Sequence, residues 1–342
     1  GKSAVAVTIA RYLNTLPHAM QTLDEPQFEP GAYFLTTQKT LQEQYADDFG
    51  PPRGEMRSIK SSSNYSCGFF NGQTCGETLR IARHESPGSP LFNACVINCC
   101  YKKEKQAFIA APEGVTNFPY FLAETQYAGK LLPRELLVTD ECHNCVQQLS
   151  AHVELTLSER FSRATLRLEM PVSPTQLQAF KWIRYVYAPE LTQHVSMIRA
   201  VVDAVKGLAS KSEELKTHAK QLEMLDKHMC KVNRFTAIYN NDNWVLNEMP
   251  EDGRSSRKLE FKPVDVSPYA QSSLFRFGKR ILMMSATILD RDAMCEMLGL
   301  DKEDVAYLSI GSPFPHENRP VLYAPVGSMA QSSIEASLPK LA

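Results

Sequence analysis

Two neighbouring acids close an apolar run in this chain: Leu136-Leu137-Val138-Thr139 leads into Asp140-Glu141-Cys142-His143-Asn144. A strand that stops at paired carboxylates presents both at one tip. There the first can hold Mg²⁺ through water and the second can orient or deprotonate an attacking water, the two needs of phosphoryl transfer. Gly1-Lys2-Ser3 stands directly before an apolar pattern at helical spacing, residues 4–16, closed by Pro17. A lysine at a helix start reaches the β- and γ-phosphates of ATP, the first amides and the helix dipole favour the anion, and the next hydroxyl can hold the metal. Near the other end Ser285-Ala286-Thr287 follows the apolar run 281–284. Its hydroxyls are candidates to hydrogen-bond His143 and link hydrolysis to movement. In this reading Gly1, Lys2 and Ser3 bind the nucleotide, Asp140, Glu141 and His143 are catalytic, and Ser285 and Thr287 couple. A chance terminal Gly-Lys-Ser and a solvated acidic loop are the bland alternatives, and the order of the three pieces argues against both.

Strands and helices must carry these residues to one place. Residues 32–36 read as a buried strand and 37–45 as the helix after it, a β–α unit. At its tip Thr36, Thr37 and Gln38, with Lys39, could touch a nucleic-acid backbone without reading bases; a helix N-cap cluster explains them equally well. Residues 135–140 and 279–285 read as further strands, the latter buried, and 289–298 as a helix. Between 175 and 232 the pattern is helical, with Leu215, Leu222 and Met229 seven apart, and predicts a hairpin of long helices packed on itself. Residues 244–246 and 258–261 look like strands around a turn-rich stretch. The fold class expected is α/β.

Five of the nine cysteines, Cys67, Cys75, Cys95, Cys99 and Cys100, fall within thirty-four residues of Ser/Asn/Gly-rich sequence. In an intracellular setting this argues for a metal or cluster site rather than disulfides. Four thiolates serve Zn²⁺ or an iron–sulfur cluster. Only Cys95 and Cys99 or Cys100 have knuckle spacing, which leans towards the cluster. Cys142 and Cys145 form a Cys-x-x-Cys pair inside the acidic motif, where a small buried side chain is the simpler reading.

At 342 residues the chain is long enough for two or three units. Its formal charge of −1 offers no global field for nucleic acid, so such contact must come from a local groove. No run of about 18 apolar residues and no leader pattern is present. The expectation is a soluble intracellular protein without a membrane partner, in cytoplasm or nucleoid, or the nucleus of a eukaryote. A phosphate-loop remnant at the first residue, with no initiator Met, leads us to expect a chain incomplete at its start.

Taken in order, Gly1-Lys2-Ser3, Leu35-Thr36-Thr37-Gln38-Lys39-Thr40-Leu41, Asn64-Tyr65-Ser66-Cys67, the cysteines leading into Tyr101-Lys102, Asp140-Glu141-Cys142-His143-Asn144 and Ser285-Ala286-Thr287 span nearly the whole sequence. In this the chain resembles the XPD/DinG family of superfamily 2 iron–sulfur DNA helicases. The resemblance implies a RecA-like parallel-sheet motor domain in three parts, 1–60, 112–150 and 244–318. A four-cysteine [4Fe–4S] insertion at 61–111 and a helical arch at 151–243 would interrupt it, and a truncated second motor domain would begin at 319–342. It implies ligands Cys67, Cys75, Cys95 and Cys99, with Cys100 as the substitute for Cys99. It further implies ATP, Mg²⁺, 5′ to 3′ movement on single-stranded or forked DNA, and a place in DNA repair. Lacking the second motor domain's arginine finger, the fragment is expected to hydrolyse ATP feebly alone. A zinc-stabilised nucleic-acid-binding scaffold and an RNA-remodelling ATPase are the rival readings.

Overall fold

The computed structural model describes residues 1–16, 27–85, 87–97, 99–129, 131–206, 212–252, 255–288, 290–311 and 339. Two units are distinguished, Gly1–Lys302 and Glu303–Ala342. The expected start of a second motor domain at 319–342 lies, Pro339 apart, outside the described residues, as do Pro17 and Leu289.

The first unit opens with helix α1 (Lys2–Thr15), strand β1 (Glu29–Thr36) and helix α2 (Lys39–Phe49), followed by the short β2 (Arg57–Ser58). Three helices then cross the cysteine-rich stretch: α3 (Cys75–Ala82), α4 (Pro90–Ile97) and α5 (Cys100–Ala110). Strand β3 (Glu113–Asn117), helix α6 (Phe118–Ala123), strand β4 (Arg134–Asp140) and helix α7 (Cys145–Val153) return to the sheet. β2, β3, β1, β4 and a later strand β8 form a five-stranded sheet in that order, every pair parallel. The architecture is mixed α/β around a parallel sheet, consistent with a RecA-like domain.

Period-two alternation decides which side chains meet which layer. Ala32, Phe34, Leu136 and Val138 pack with Ala6, Val7 and Ala10 of α1 and Tyr45 of α2 on one face. Tyr33, Leu35 and Leu137 pack with Phe108, Phe118, Phe121 and Leu149 on the other. Helices on both faces explain why β1 and β4 read as continuous apolar runs. Asp140 shares the parity of Leu136 and Val138, so the strand end delivers its carboxylate to the α1/α2 side.

Beyond α7 the chain forms strand β5 (Leu155–Ser158) and helix α8 (Glu159–Leu166). Helix α9 (Gln176–Trp182) runs through a widened π turn, Ile183–Tyr187, into α10 (Ala188–Val205). The long α11 (Ser212–Ile238) packs Leu215, Leu222 and Leu225 against Leu191, Val195, Ile198 and Val202 of α10 in one apolar cluster. The hairpin is therefore as the heptad-like spacing suggests. Two strands follow, β6 (Trp244–Met249) and β7 (Lys258–Pro263), then α12 (Ser267–Ser273), β8 (Gly278–Met284) and α13 (Arg291–Leu298).

Two features differ from the sequence expectation. β5 pairs antiparallel with β7, and β7 with β6, in a second sheet, although residues 155–158 sit in the stretch read as helical arch. Four residues are too short to register against the helical pattern around them. β8 was expected to be buried; instead Lys279 and Arg280 are exposed and Ile281 to Met283 half-buried. It is an edge strand of the described sheet, tied to β4 by Lys279 and Arg280 bonding the Glu135 carboxylate at 3.3 and 2.5 Å.

The hairpin region holds two histidines whose imidazoles are kept neutral. Burial, then the Arg234 and Lys231 charges, lower His152 to about 3. Burial, then Lys231, lowers His228 to about 4, and its Nε2 meets Tyr187 Oη at 2.7 Å. Below the ordinary value of 6.5 the unfolded chain takes up these protons and the folded chain does not, so stability present at neutral pH is lost as pH falls. Partial exposure limits the loss to on the order of 1 kcal/mol per histidine between pH 7 and 5.5. Melting temperature followed over that range should fall, and less steeply for His228→Gln; a flat profile would count against this account.

Candidate functional site

α1 begins at Gly1, its N-cap, with no acidic residue in the first turn to occupy the positive end of the helix. From its first position Lys2 extends to the tip of β4, where Nζ donates to Glu141 Oε1 at 2.7 Å and lies 3.8 Å from Asp140 Oδ1. Lys2 and the two acids, 138 and 139 positions away in the sequence, are one cluster.

Asp140 is only 3% exposed, so its charge needs partners. Oδ1 accepts the backbone N–H of Glu141 at 2.9 Å and Oδ2 accepts Tyr45 Oη at 3.0 Å. Tyr45 comes from α2, with the Ser3 hydroxyl also beside its oxygen. Burial above all raises the Tyr45 phenol; Ser3 opposes and the Asp140 and Glu141 charges reinforce the rise, so the group stays protonated and donates. The helical spacing of Leu41 and Tyr45 marks the ring as packing; nothing in that spacing reveals that its hydroxyl reaches the buried Asp140 carboxylate. Replacing Tyr45 by Phe removes one donor from a buried anion, worth roughly 1–3 kcal/mol. Denaturant unfolding should show a loss of stability of that order in Tyr45→Phe, and an unchanged midpoint would refute this role.

Glu141 lies in the left-handed region, φ 53 and ψ 47. For a non-glycine residue this costs about 1–2 kcal/mol. The turn is held by Asn144, whose backbone N–H and Nδ2 donate to Glu141 O at 3.0 and 3.3 Å. The kink breaks the strand's alternation and turns the Glu141 side chain, half-buried, back beside Asp140 instead of to the opposite face.

His143 joins this tip to the end of β8. Asn144 Nδ2 lies 2.9 Å from Nε2, and Nδ1 is 2.7 Å from Ser285 Oγ. An amide donor at Nε2 assigns the proton to Nδ1, which then donates to Ser285 Oγ. Ser285 Oγ is 3.5 Å from Glu141 Oε2, 3.1 Å from Thr287 Oγ1, and accepts Thr287 N–H at 3.1 Å. A change at Glu141 therefore has a hydrogen-bonded route through Ser285 to the loop after β8. β4 and β8 run parallel with Asp140 opposite Met284, which fixes this juxtaposition.

Thr36, Thr37 and Gln38 leave β1 for α2. Thr36 is buried, with its hydroxyl donating to Gln38 O at 3.1 Å, so it braces the turn. Gln38, Lys39 and Thr40 are the outward residues, and Lys39 Nζ reaches Asn64 Oδ1 at 2.9 Å. At this tip Thr37 is half-buried and Gln38 and Thr40 are exposed.

A second site lies in the cysteine-rich stretch. Cys67, Cys75, Cys95 and Cys99, together with Thr78 and Leu79, line one cavity of about 120 Å³. The loose Cys67–Cys75 spacing closes because a β-bridge between Ser66 and Thr74 folds the segment back through Gly72 at φ 79. Cys75 is the first residue of α3, whose start is fixed by the Thr74–Glu77 capping box, and Cys99 is the N-cap of α5. Two of the four sulfurs thus sit at helix starts, and at Cys75 burial first of all, then the Cys100 thiol, raises the thiol to about 12. Around Cys67 burial would raise the thiol, but the neighbouring Thr78 hydroxyl and the amides of Phe70 and Phe69, both 3.4 Å away, outweigh it and the thiol is lowered. Burial, followed by Cys99 and Cys67, raises Cys95. Thr78 Oγ1 is buried on the wall without a well-formed hydrogen bond. Cys100 does not line the cavity; it stands behind Cys75 at 3.3 Å between sulfurs.

Among the described residues no three His, Cys, Asp or Glu side chains converge on a position for one metal ion. The packing of this stretch comes from both neighbours: Ile81, Ala82 and Leu91 join the apolar cluster of the α10/α11 hairpin, while Cys75, Cys99 and Tyr101 join that of the parallel sheet. Arg80 of α3 also pairs with Glu223 of α11. A separate cavity of about 600 Å³ lies among β5, α8 and α11, lined by Ser158, Phe161, Lys220 and His228. Cys142 and Cys145 are fully buried, and burial first of all raises both thiols to about 12, which leaves them inert packing groups.

No family model matches the chain, and no curated protein does. Among solved structures it is similar to an XPD helicase chain, at 15% identity and a TM-score of 0.43 over 80% of this chain and 53% of that one. It is also similar to a truncated XPD chain, at 13% identity and a TM-score of 0.48 over 90% and 92%. The chain spans about half the length of the first of these. Likeness at this level says nothing of activity, which the geometry of the two sites has to carry. No helix of the described residues is long and apolar enough to cross a membrane.

Proposed function

We propose that the chain is the nucleotide-binding half of an ATP-dependent DNA helicase moving 5′ to 3′ on single-stranded DNA. The observation that carries the reading is the meeting of Lys2 with Glu141 and Asp140 at one strand tip, 2.7 and 3.8 Å from the ammonium respectively. An ammonium at an uncapped helix start attracts the β- and γ-phosphates of ATP and competes with Glu141 for its own ion pair. Released from Lys2, Glu141 becomes free to accept a proton from the attacking water. Asp140, held by Tyr45, and Ser3 are the Mg²⁺-side groups; the metal supplies charge neutralisation on the phosphates. His143 and Ser285 then carry the state of Glu141 to Thr287.

In this reading residues 1–60, 112–150 and 244–318 form the motor domain, 151–243 the arch and 61–111 the insertion. The proposed ligands of a [4Fe–4S] cluster are Cys67, Cys75, Cys95 and Cys99. Four thiols around one cavity, with the amides of Phe69 and Phe70 and the Thr78 hydroxyl beside the Cys67 sulfur, support that assignment. When bound the group would pin the insertion where small apolar packing alone is thin. Thr37 and Gln38 are the proposed backbone contacts to the strand.

Unwinding of a duplex bearing a single 5′ or a single 3′ tail, by the full-length protein with Mg²⁺ and ATP, tests this. Unwinding from the 5′ tail is expected. ATP turnover stimulated only by RNA would favour the remodelling ATPase, and zinc with no turnover would favour the scaffold.

A further inference from the structure

Four thiols line the cavity, and a fifth, Cys100, stands outside it against one particular neighbour. Cys100 Sγ lies 3.3 Å from Cys75 Sγ. Both thiols donate to the same carbonyl, Ser66 O, at 3.1 and 3.4 Å, which holds the two sulfurs on one side and aimed together. Cys75 is the first residue of α3 and Cys100 the first of α5, so both backbones are anchored by helices. A disulfide has its sulfurs about 2.05 Å apart. The closing distance is roughly an ångström, within the reach of side-chain rotation. Cys100 is half-buried, which leaves it open to a small reagent.

We propose that Cys75 and Cys100 are a reversible redox pair of the cluster-free chain, closing to a disulfide that withdraws Cys75 from the cavity. The oxidant is a low-molecular-weight disulfide such as glutathione disulfide. The Cys100 thiolate attacks one of its sulfurs and expels one thiolate. The Cys75 thiolate then attacks the Cys100 sulfur and expels the second. Two protein thiols lose two protons and two electrons, and the reagent leaves as two thiols. Iron bound at Cys75 and a Cys75–Cys100 bond are mutually exclusive, so oxidation and cluster loading compete for one sulfur. Only this last consequence rests on the cluster reading of the cavity.

The test uses the full-length protein, made metal-free under reductant, exposed to glutathione disulfide, alkylated and mapped by peptide mass spectrometry. The expected product is the Cys75–Cys100 crosslink in preference to any involving Cys67, Cys95 or Cys99. Scrambled crosslinks, or glutathione retained on Cys100 with Cys75 alkylated, would overturn the proposal, and the map decides this even if the protein binds no iron. Incubation with ferrous iron and sulfide should then show loss of iron incorporation in the oxidised sample, restored by dithiothreitol. The Cys100→Ser protein should load iron equally before and after oxidation. Equal oxidant sensitivity in that variant would show that the competition acts through other thiols.

Discussion

Replacing Glu141 by Gln in the full-length protein is expected to lower ATP turnover on the order of 10²–10⁴-fold while nucleotide still binds. The substitution keeps the size of the side chain and removes its ability to accept a proton. It also removes the anion that Lys2 holds at 2.7 Å, so the ammonium becomes a better partner for phosphate. The two effects have opposite signs on two measurements: turnover collapses and affinity for ATP holds or rises. Asp140→Asn differs, because Asp140 is buried and accepts from Tyr45 and its own neighbour's amide. Its loss should weaken Mg²⁺ dependence and fold stability together. Steady-state turnover beside equilibrium binding of labelled ATP distinguishes the two acids; a Glu141→Gln protein that still turns over at the parent rate would remove Glu141 from the chemistry.

The second large effect is expected at Cys95. Cys95 is buried in α4, lines the cavity and belongs to the apolar cluster shared with the α10/α11 hairpin. Cys95→Ser removes one of four sulfurs and should reduce bound iron about tenfold or more, with loss of the visible absorbance of the cluster. ATP hydrolysis should persist, because Lys2, Asp140 and Glu141 are held by the parallel sheet and not by the insertion. Unwinding should fail, since the segments carrying Cys67, Cys75, Cys95 and Cys99 would no longer be tied together through the cavity they line. Cys100→Ser is the matched control: Cys100 stands behind Cys75 and off the cavity wall, so iron and unwinding should both survive. Iron retained in Cys95→Ser and lost in Cys100→Ser would mean that the ligand set is wrong.

Much of the sheet is legible from short unbroken apolar runs. Residues 32–36 and 135–140 read as strands because helices on both faces bury both sets of side chains, and the observed strands β1 and β4 extend that reading by only a few residues. The hairpin is legible for a similar reason, since Leu215 and Leu222 repeat along one face and pack there. What pattern cannot show is contact made by polar tips and by backbone exceptions. Tyr45 looks like any aromatic at helical spacing, and its bond to Asp140 depends on where α2 crosses β4. The left-handed turn at Glu141 has no glycine to announce it; the strain is held by Asn144. The distance from Cys67 to Cys75 looks too long for a metal knuckle until Ser66 and Thr74 bridge. β8 reads as buried from Ile281, Leu282, Met283 and Met284, whereas its burial depends on what covers an edge, a property of the whole sheet.

Binding of Mg²⁺ with a non-hydrolysable ATP analogue to the full-length protein and to its Lys2→Ala variant, measured by calorimetry, tests the central claim most directly. The account predicts one site in the parent protein and a loss of affinity on the order of 10²-fold or more in the variant, the cost of removing a charge-assisted donor to phosphate. Equal affinity in the two proteins would contradict it, because Lys2 and the two acids beside it would then not surround a triphosphate.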